Sequence, residues 1–100
     1  MYQIAETEEF SQWLQSIKDA RTRTRLIKRL RKASLGNLGD VRSVGDGVYE
    51  MREFFGPGWR MYYLHKDRLL VIMLGGGDKS TQARDIQRVK VLAQEILDEY

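Results

Sequence analysis

The sequence contains no cysteine, one proline, Pro57, and one histidine, His65, among its 100 residues. Without thiols neither a disulfide framework nor a thiolate metal site can form, and a single imidazole cannot build a histidine-rich centre. No cluster of carboxylates with His65 has metal-ligand spacing, which weighs against metal catalysis. The longest apolar run, Leu69 to Leu74, is six residues, well short of the roughly 20 that cross a bilayer. Met1 to Phe10 lacks the basic-then-apolar pattern of a signal peptide. Secretion and membrane insertion are therefore not expected, and a cytoplasmic location is. Low-complexity tracts are also missing, so no stretch reads as a linker or tail.

What is present describes a folded chain, 42% hydrophobic and 31% charged. Its length allows one hydrophobic core and leaves little for a second, so residues 1–100 are read as a single domain. Seventeen basic residues against fourteen acidic ones give a net charge of +3 and a pI near 9.3. So small an excess makes the placement of charge more informative than its sum.

Tyr2 to Glu6 reads as a short strand, and Thr7 as the N-cap of a helix with Glu8 and Glu9 in its first turn. Phe10, Trp13, Leu14 and Ile17 then recur at the spacing of one buried helical stripe, with the helix ending near Lys18. A second helix is expected from Ala20 to Leu35, with Leu26, Ile27, Leu30 and Ala33 as its stripe and Gly36 as its stop. Together they make a helical hairpin. Between Lys18 and Lys32 there are eight basic residues and one acid, Asp19. At roughly 100° per residue, Arg21, Arg25, Lys28 and Lys32 fall opposite the apolar stripe. Two readings fit this ridge: a grip on phosphate, as in RNA or ribosome binding, or the solvated face of an amphipathic helix.

From Val41 the pattern changes to strands: Val41 to Val44, Val48 to Phe55, Trp59 to His65 and Leu69 to Leu74. Turns at Gly45-Asp46-Gly47, Gly56-Pro57-Gly58 and Lys66-Asp67 join them, and such short connections make the strands antiparallel. Alternation sets Trp59, Met61 and Tyr63 toward the core and Arg60, Tyr62 and Leu64 on the other face. It also sets Tyr49 and Met51 inward and Glu50 and Arg52 outward, which leaves Glu53 at a bulge or an edge. The unbroken run Leu69 to Leu74 suits a central strand covered on both faces. A final helix to Glu99 carries Ile86, Val89, Ala93 and Ile96 as its stripe. The predicted architecture is α+β, with a helical hairpin and a C-terminal helix on a small, mostly antiparallel sheet, in the order β-α-α-β-β-β-β-α.

Arg52 and Arg60 fall on the same face of neighbouring strands. Like charges at cross-strand range repel unless an anion comes between them, so an anion site is one reading and ion pairing with Glu50 is the other. Gly75-Gly76-Gly77 after the last strand would let backbone N–H groups and the following helix end approach a phosphate beside Lys79, or would simply enter the helix. The spacing matches neither a Walker loop nor a dinucleotide fingerprint. Tyr62 could stack on a base or pack against the last helix. His65, near a turn and with no partner evident, reads as a surface histidine.

Three segments carry a family resemblance: Tyr49-Glu50-Met51-Arg52, Phe55-Gly56-Pro57-Gly58-Trp59-Arg60-Met61-Tyr62-Tyr63 and Leu74-Gly75-Gly76-Gly77-Asp78-Lys79-Ser80-Thr81-Gln82. With the element order, they resemble the RelE/ParE toxin superfamily, in particular its HigB-like addiction module killer proteins. The resemblance covers nearly the whole chain. It implies a RelE-like fold and a type II toxin, held silent by a cognate antitoxin protein, that cuts mRNA on the ribosome as an endoribonuclease without metal or cofactor. It implies Arg52, Arg60 and Lys79 as catalytic residues. RNA contacts are expected from Glu50, Tyr62 and Asp78 beside them and from Arg25, Lys28 and Lys32 on the ridge. The C-terminal catalytic tyrosine or histidine of the family has no counterpart; Asp85 stands near the former position, and Tyr100 does not substitute for it. A ParE-like inhibitor of DNA gyrase and a non-catalytic nucleic-acid-binding module are the alternative readings.

Overall fold

A computed structural model describes residues 1–99; Tyr100, set aside above as a catalytic substitute, lies outside them. The elements are β1 (Gln3–Glu6), α1 (Glu8–Ser16), α2 (Ala20–Ser34), β2 (Val41–Gly45), β3 (Val48–Arg52), β4 (Arg60–His65), β5 (Leu70–Gly77) and α3 (Gln82–Glu99), with a 3₁₀ turn at Lys79–Thr81 before α3. The fold is α+β, three helices packed on a five-stranded mixed sheet of order β1-β5-β4-β3-β2. β1 runs parallel to β5, and every other neighbouring pair is antiparallel. No helix among the described residues is long and apolar enough to cross a membrane.

Local chemistry starts each helix. The Thr7 hydroxyl accepts the Phe10 N–H at 3.1 Å, and Asp19 caps α2 by accepting from the Arg21 N–H at 3.2 Å and the Thr22 hydroxyl at 2.9 Å. Helix α1 stops at Ser16 rather than near Lys18, because Ile17 turns extended (ψ 115°) and is buried. Helix α2 closes at Gly36, whose φ of +103° lies in the left-handed region.

The sheet has helices on both faces. On one, Phe10 and Leu14 of α1, Ile17 just after it, and Leu26, Leu30 and Ala33 of α2 pack with Met51, Met61, Tyr63, Val71 and Met73. On the other, Val89 and Ala93 of α3 pack with Val48, Tyr62, Leu64, Ile72 and Leu74. Strands β4 and β5 lie at the centre and are apolar on both sides, which explains the unbroken hydrophobic run. Ile27 leaves the predicted stripe: it is 52% exposed, and Thr22, one turn before Leu26, joins the buried face instead.

Several predicted boundaries shift for identifiable reasons. Strand β3 ends at Arg52 instead of Phe55, with neither a bulge nor an edge at Glu53. The Glu53 N–H donates to the Trp59 carbonyl at 2.9 Å, and its carboxylate is drawn across to Arg29 of α2. Leu69 is 63% exposed and lies in the turn, because Asp67 accepts the N–H groups of Leu69 and Leu70 at 2.8 and 3.0 Å.

The largest correction concerns Gly75-Gly76-Gly77, which continue β5 and form no phosphate-cradling loop. A Cβ at Gly76 would come 2.4 Å from the Trp13 ring of α1, and one at Gly77 would come 2.0 Å from the Asp85 carboxylate of α3. Glycine there lets the Trp13 ring and the Asp85 carboxylate lie directly against the strand.

Gly76→Ala should lower the unfolding free energy by about 1–3 kcal/mol through overpacking, and adding Trp13→Leu should recover part of the loss; strictly additive urea-unfolding energies would remove the proposed contact. The carboxyls of Asp19, Asp67 and Asp78 are held below the ordinary 3.8 by the Thr22 hydroxyl, the Leu69 N–H and the Ser80 hydroxyl respectively. Because these folded-state values are depressed, the stability they lend is complete above the unfolded value and is lost as pH falls through the folded ones. Replacing all three by Asn should flatten the acid limb of stability below about pH 4, as read by urea titration at stepped pH.

Candidate functional site

Arg52 closes β3 and Arg60 opens β4, the two being direct register partners, and Arg60 is also paired with Gly77 of β5. Two residues beyond Gly77, Lys79 opens the 3₁₀ turn, while Asp78 caps it by accepting the Ser80 N–H at 2.8 Å. The Lys79 N–H donates to the Pro57 carbonyl at 3.4 Å, which brings the β3–β4 loop against the end of β5. Gly58, at φ +80°, passes between the cations: a Cβ there would lie 3.4 Å from both Arg60 Nη1 and Lys79 Cβ. Arg52, Arg60 and Lys79 therefore gather at one end of the sheet, from β3, β4 and the segment after β5.

Their freedom differs. Lys79 is exposed. Arg52 is partly exposed and pairs with Asp40 at 3.0 Å, with its guanidinium 5.5 Å from the centre of the Phe54 ring. Arg60 is only 7% exposed; Nη1 donates to the carbonyls of Gly58 and Trp59 at 3.2 and 3.4 Å, and Nε sits 3.8 Å from Glu50.

Beneath the cations lies a polar layer covered by α3. Glu50, predicted to face outward, is 0% exposed. It accepts from Gln82 Nε2 at 2.7 Å and from Arg42 Nη2 at 3.2 Å. Asp85, 2% exposed, accepts from the Thr81 hydroxyl at 2.6 Å and Arg88 Nη2 at 2.7 Å. Tyr62 is also 0% exposed. Among the described residues its hydroxyl makes no hydrogen bond of good geometry, and burial, with the nearby Glu50 and Asp85 charges, pushes the phenol above its ordinary value.

This burial corrects two predicted RNA contacts. Tyr62 packs under α3 and presents no face to a base, and the Glu50 carboxylate is spent on Arg42, Arg60 and Gln82. Asp78 caps its turn at the border of the cationic cluster. Sequence reading gave Asp85 no place in this layer and missed Gln82 and Arg42. The signal for Asp85 was present, since it lies four residues before Val89 on the buried stripe of α3.

The ridge of α2 is a separate feature on the opposite face of the sheet. Arg25, Lys28, Arg29 and Lys32 line a polar pocket of about 320 Å³ with Asn37, Gly39 and Glu53; Arg21 is not among them. Arg25 lies 3.6 Å over the Phe55 ring. Arg29 is a clamp: it donates to the carbonyls of Leu38, Arg52 and Asp40 at 2.9 to 3.2 Å and pairs with Glu53. Through Arg52 it joins the ridge to the end of β3.

His65 ends β4, roughly 16 Å along the strand from Arg60 at about 3.3 Å per residue. It is half-buried rather than a bare surface histidine, with ring contacts to Tyr2, Tyr63 and Tyr49 at 5.2, 6.3 and 6.5 Å. Among the described residues no group of three or more His, Asp and Glu side chains could hold a metal ion.

In comparisons with known proteins, a protein of Haemophilus influenzae (strain Rd) described as uncharacterized is 44% identical over 94 residues, which are 94% of this chain and 95% of that protein. No family model matches the chain. No solved structure matches it.

Because the Tyr62 hydroxyl is buried with no well-formed hydrogen bond among the described residues, Tyr62→Phe should leave thermal stability unchanged or raise it by about 1 kcal/mol. A drop in melting temperature would reveal a hydrogen bond that the arrangement lacks.

Proposed function

We propose that this chain, which belongs to the same family as the Haemophilus influenzae protein, is a RelE-like toxin of the HigB type, an endoribonuclease silenced by a cognate antitoxin. The observation that supports this reading is the gathering of Arg52, Arg60 and Lys79 at one end of the sheet. The resemblance of the segments around Arg52, Arg60 and Lys79 to that superfamily adds to it. Fixed cations aimed at developing charge are commonly the largest catalytic contribution, and they need no metal.

In the proposed reaction an RNA 2′-hydroxyl attacks the adjacent phosphorus. The new 2′-O–P bond forms as the P–O5′ bond breaks, leaving a 2′,3′-cyclic phosphate and a 5′-hydroxyl. Arg52 and Arg60 stabilise the charge that grows on the phosphoryl oxygens. Lys79, the most exposed of the three, holds the phosphate and supplies a proton to the departing 5′-oxygen, while the 2′-hydroxyl proton passes to water. Glu50 keeps the Arg60 guanidinium oriented from beneath, at 3.8 Å. The pocket of Arg25, Lys28 and Lys32 holds a neighbouring stretch of RNA backbone.

A second reading, binding of RNA without cleavage, is favoured by the slight exposure of Arg60, 7%, and by the existing pair between Arg52 and Asp40. Incubation with translating ribosomes and mapping of new RNA ends separates the two. The nuclease reading expects new 5′-hydroxyl ends matched by cyclic phosphates. Lys79→Ala, a change at an exposed position, should slow their appearance by about 10²- to 10³-fold without moving the melting temperature. RNA that is bound but intact would replace the first reading with the second, and full cleavage by a folded Arg52→Ala/Lys79→Ala protein would remove these residues from the chemistry.

A further inference from the structure

The last residues of β5 have a strand on one side only. Gly75, Gly76 and Gly77 pair with Tyr62, Met61 and Arg60 of β4, but β1 stops at the Glu6–Met73 pair. Thr7 then takes the Met73 carbonyl with its N–H at 3.1 Å, and its hydroxyl lies 2.9 Å from that carbonyl and 3.4 Å from the Leu74 carbonyl. From there the chain leaves the sheet to begin α1. Where a longer β1 would have continued, there is a cleft of about 440 Å³, a size typical of ligand sites. Leu74, Gly75 and Gly76 form its floor, Trp13 of α1 one wall, and Val89 and Leu92 of α3 the other.

We propose that this cleft receives an extended segment of a partner protein, which adds to the open edge of β5 as a short strand and carries apolar residues flanked by basic ones. A strand edge offers main-chain donors and acceptors to an incoming chain, and pockets on alternate sides read its side chains. Here the two sides are built by different helices, so successive side chains of the guest would meet Trp13 and then Val89 with Leu92. Gly75 and Gly76 are buried at the bottom of the cleft, with Val89 against the first and the Trp13 ring against the second, so a guest would meet bare backbone only at the strand edge between the two walls.

The rim specifies the charge of the guest. Glu9 and Glu95 are exposed on opposite walls and form no salt bridge among the described residues, whereas the one rim cation, Arg88, is engaged by Asp85 at 2.7 Å. Lys or Arg beside the apolar residues of a guest strand would complement this pair. Val91, 61% exposed, supplies apolar surface at the mouth. The proposal does not rest on the RNA reading: Arg52, Arg60 and Lys79 lie outside the cleft, and its test measures binding alone.

The test pans a displayed library of random short peptides against the full chain and against Val91→Arg, which places a cation and a long side chain at the mouth of the cleft. Enrichment of peptides alternating apolar with Lys or Arg is expected. Their affinity should fall about tenfold or more for Val91→Arg, for Glu9→Lys/Glu95→Lys, and when the peptide backbone is N-methylated at alternate positions, the size of effect that losing one or two hydrogen bonds produces. Amide shifts in the bound complex should centre on Gly75 and Gly76. The proposal fails if no peptide is enriched, if enriched peptides bind Val91→Arg or survive N-methylation equally well, or if they are acidic. It also fails if sedimentation shows the chain pairing with a second copy through this edge, lost in Val91→Arg.

Discussion

The Glu50 carboxylate has been taken wholly out of water, and the architecture around the site is arranged to answer it. An isolated buried charge would cost several kcal/mol, so it persists only with partners of matching geometry. Those partners come from separate elements: Arg42 from β2, Arg60 from β4 and Gln82 from the start of α3. One acid therefore ties the N-terminal end of α3 to three neighbouring strands. Removing it would leave the Arg60 guanidinium buried beside the Tyr62 hydroxyl without its acid, and the surface that presents Arg52 and Lys79 would lose its support.

The second constraint is clearance. Strand β5 is pressed from one side by Trp13 and from the other by Asp85, at adjacent glycines where any Cβ would displace the Trp13 ring or the Asp85 carboxylate. This close approach sets where the 3₁₀ turn begins, and so where Lys79 emerges relative to Arg60. Strand β1 ends earlier, at Glu6, and the neighbouring edge of β5 lies in a cleft walled by α1 and α3. Cationic cluster and cleft thus lie on the two sides of a single strand end, with Asp85 held between them by Thr81 and Arg88.

Much of this was legible in the residues. The order of elements, the caps at Thr7 and Asp19, the two-faced burial of the last strand and the placement of Arg52 and Arg60 on one face all follow from periodicity and short-range hydrogen bonding, which depend on neighbours in the chain. Glu50 was misplaced, and Tyr62 left undecided between a base and the last helix, because alternation assigns a residue to a face without saying what covers that face. Helix α3, more than thirty residues from Glu50 in sequence and bonded to it through Gln82, turned an outward face into an interior. The end of β3 at Arg52 has a similar cause, since Arg29 of α2 draws Glu53 out of the strand.

By itself the sequence determined the α+β class, the antiparallel meander and the pairing of two arginines across a hairpin, because strand spacing and turn length impose these wherever the chain folds. Only the tertiary structure decided that three glycines prolong a strand, that an acid and a tyrosine lie beneath the cations, and that the α2 ridge sits on the far face from Arg60. Those outcomes depend on which helix lands on which side of the sheet. That in turn is settled by the fit of whole surfaces, Trp13 and Asp85 against bare backbone, which no local pattern of residues records.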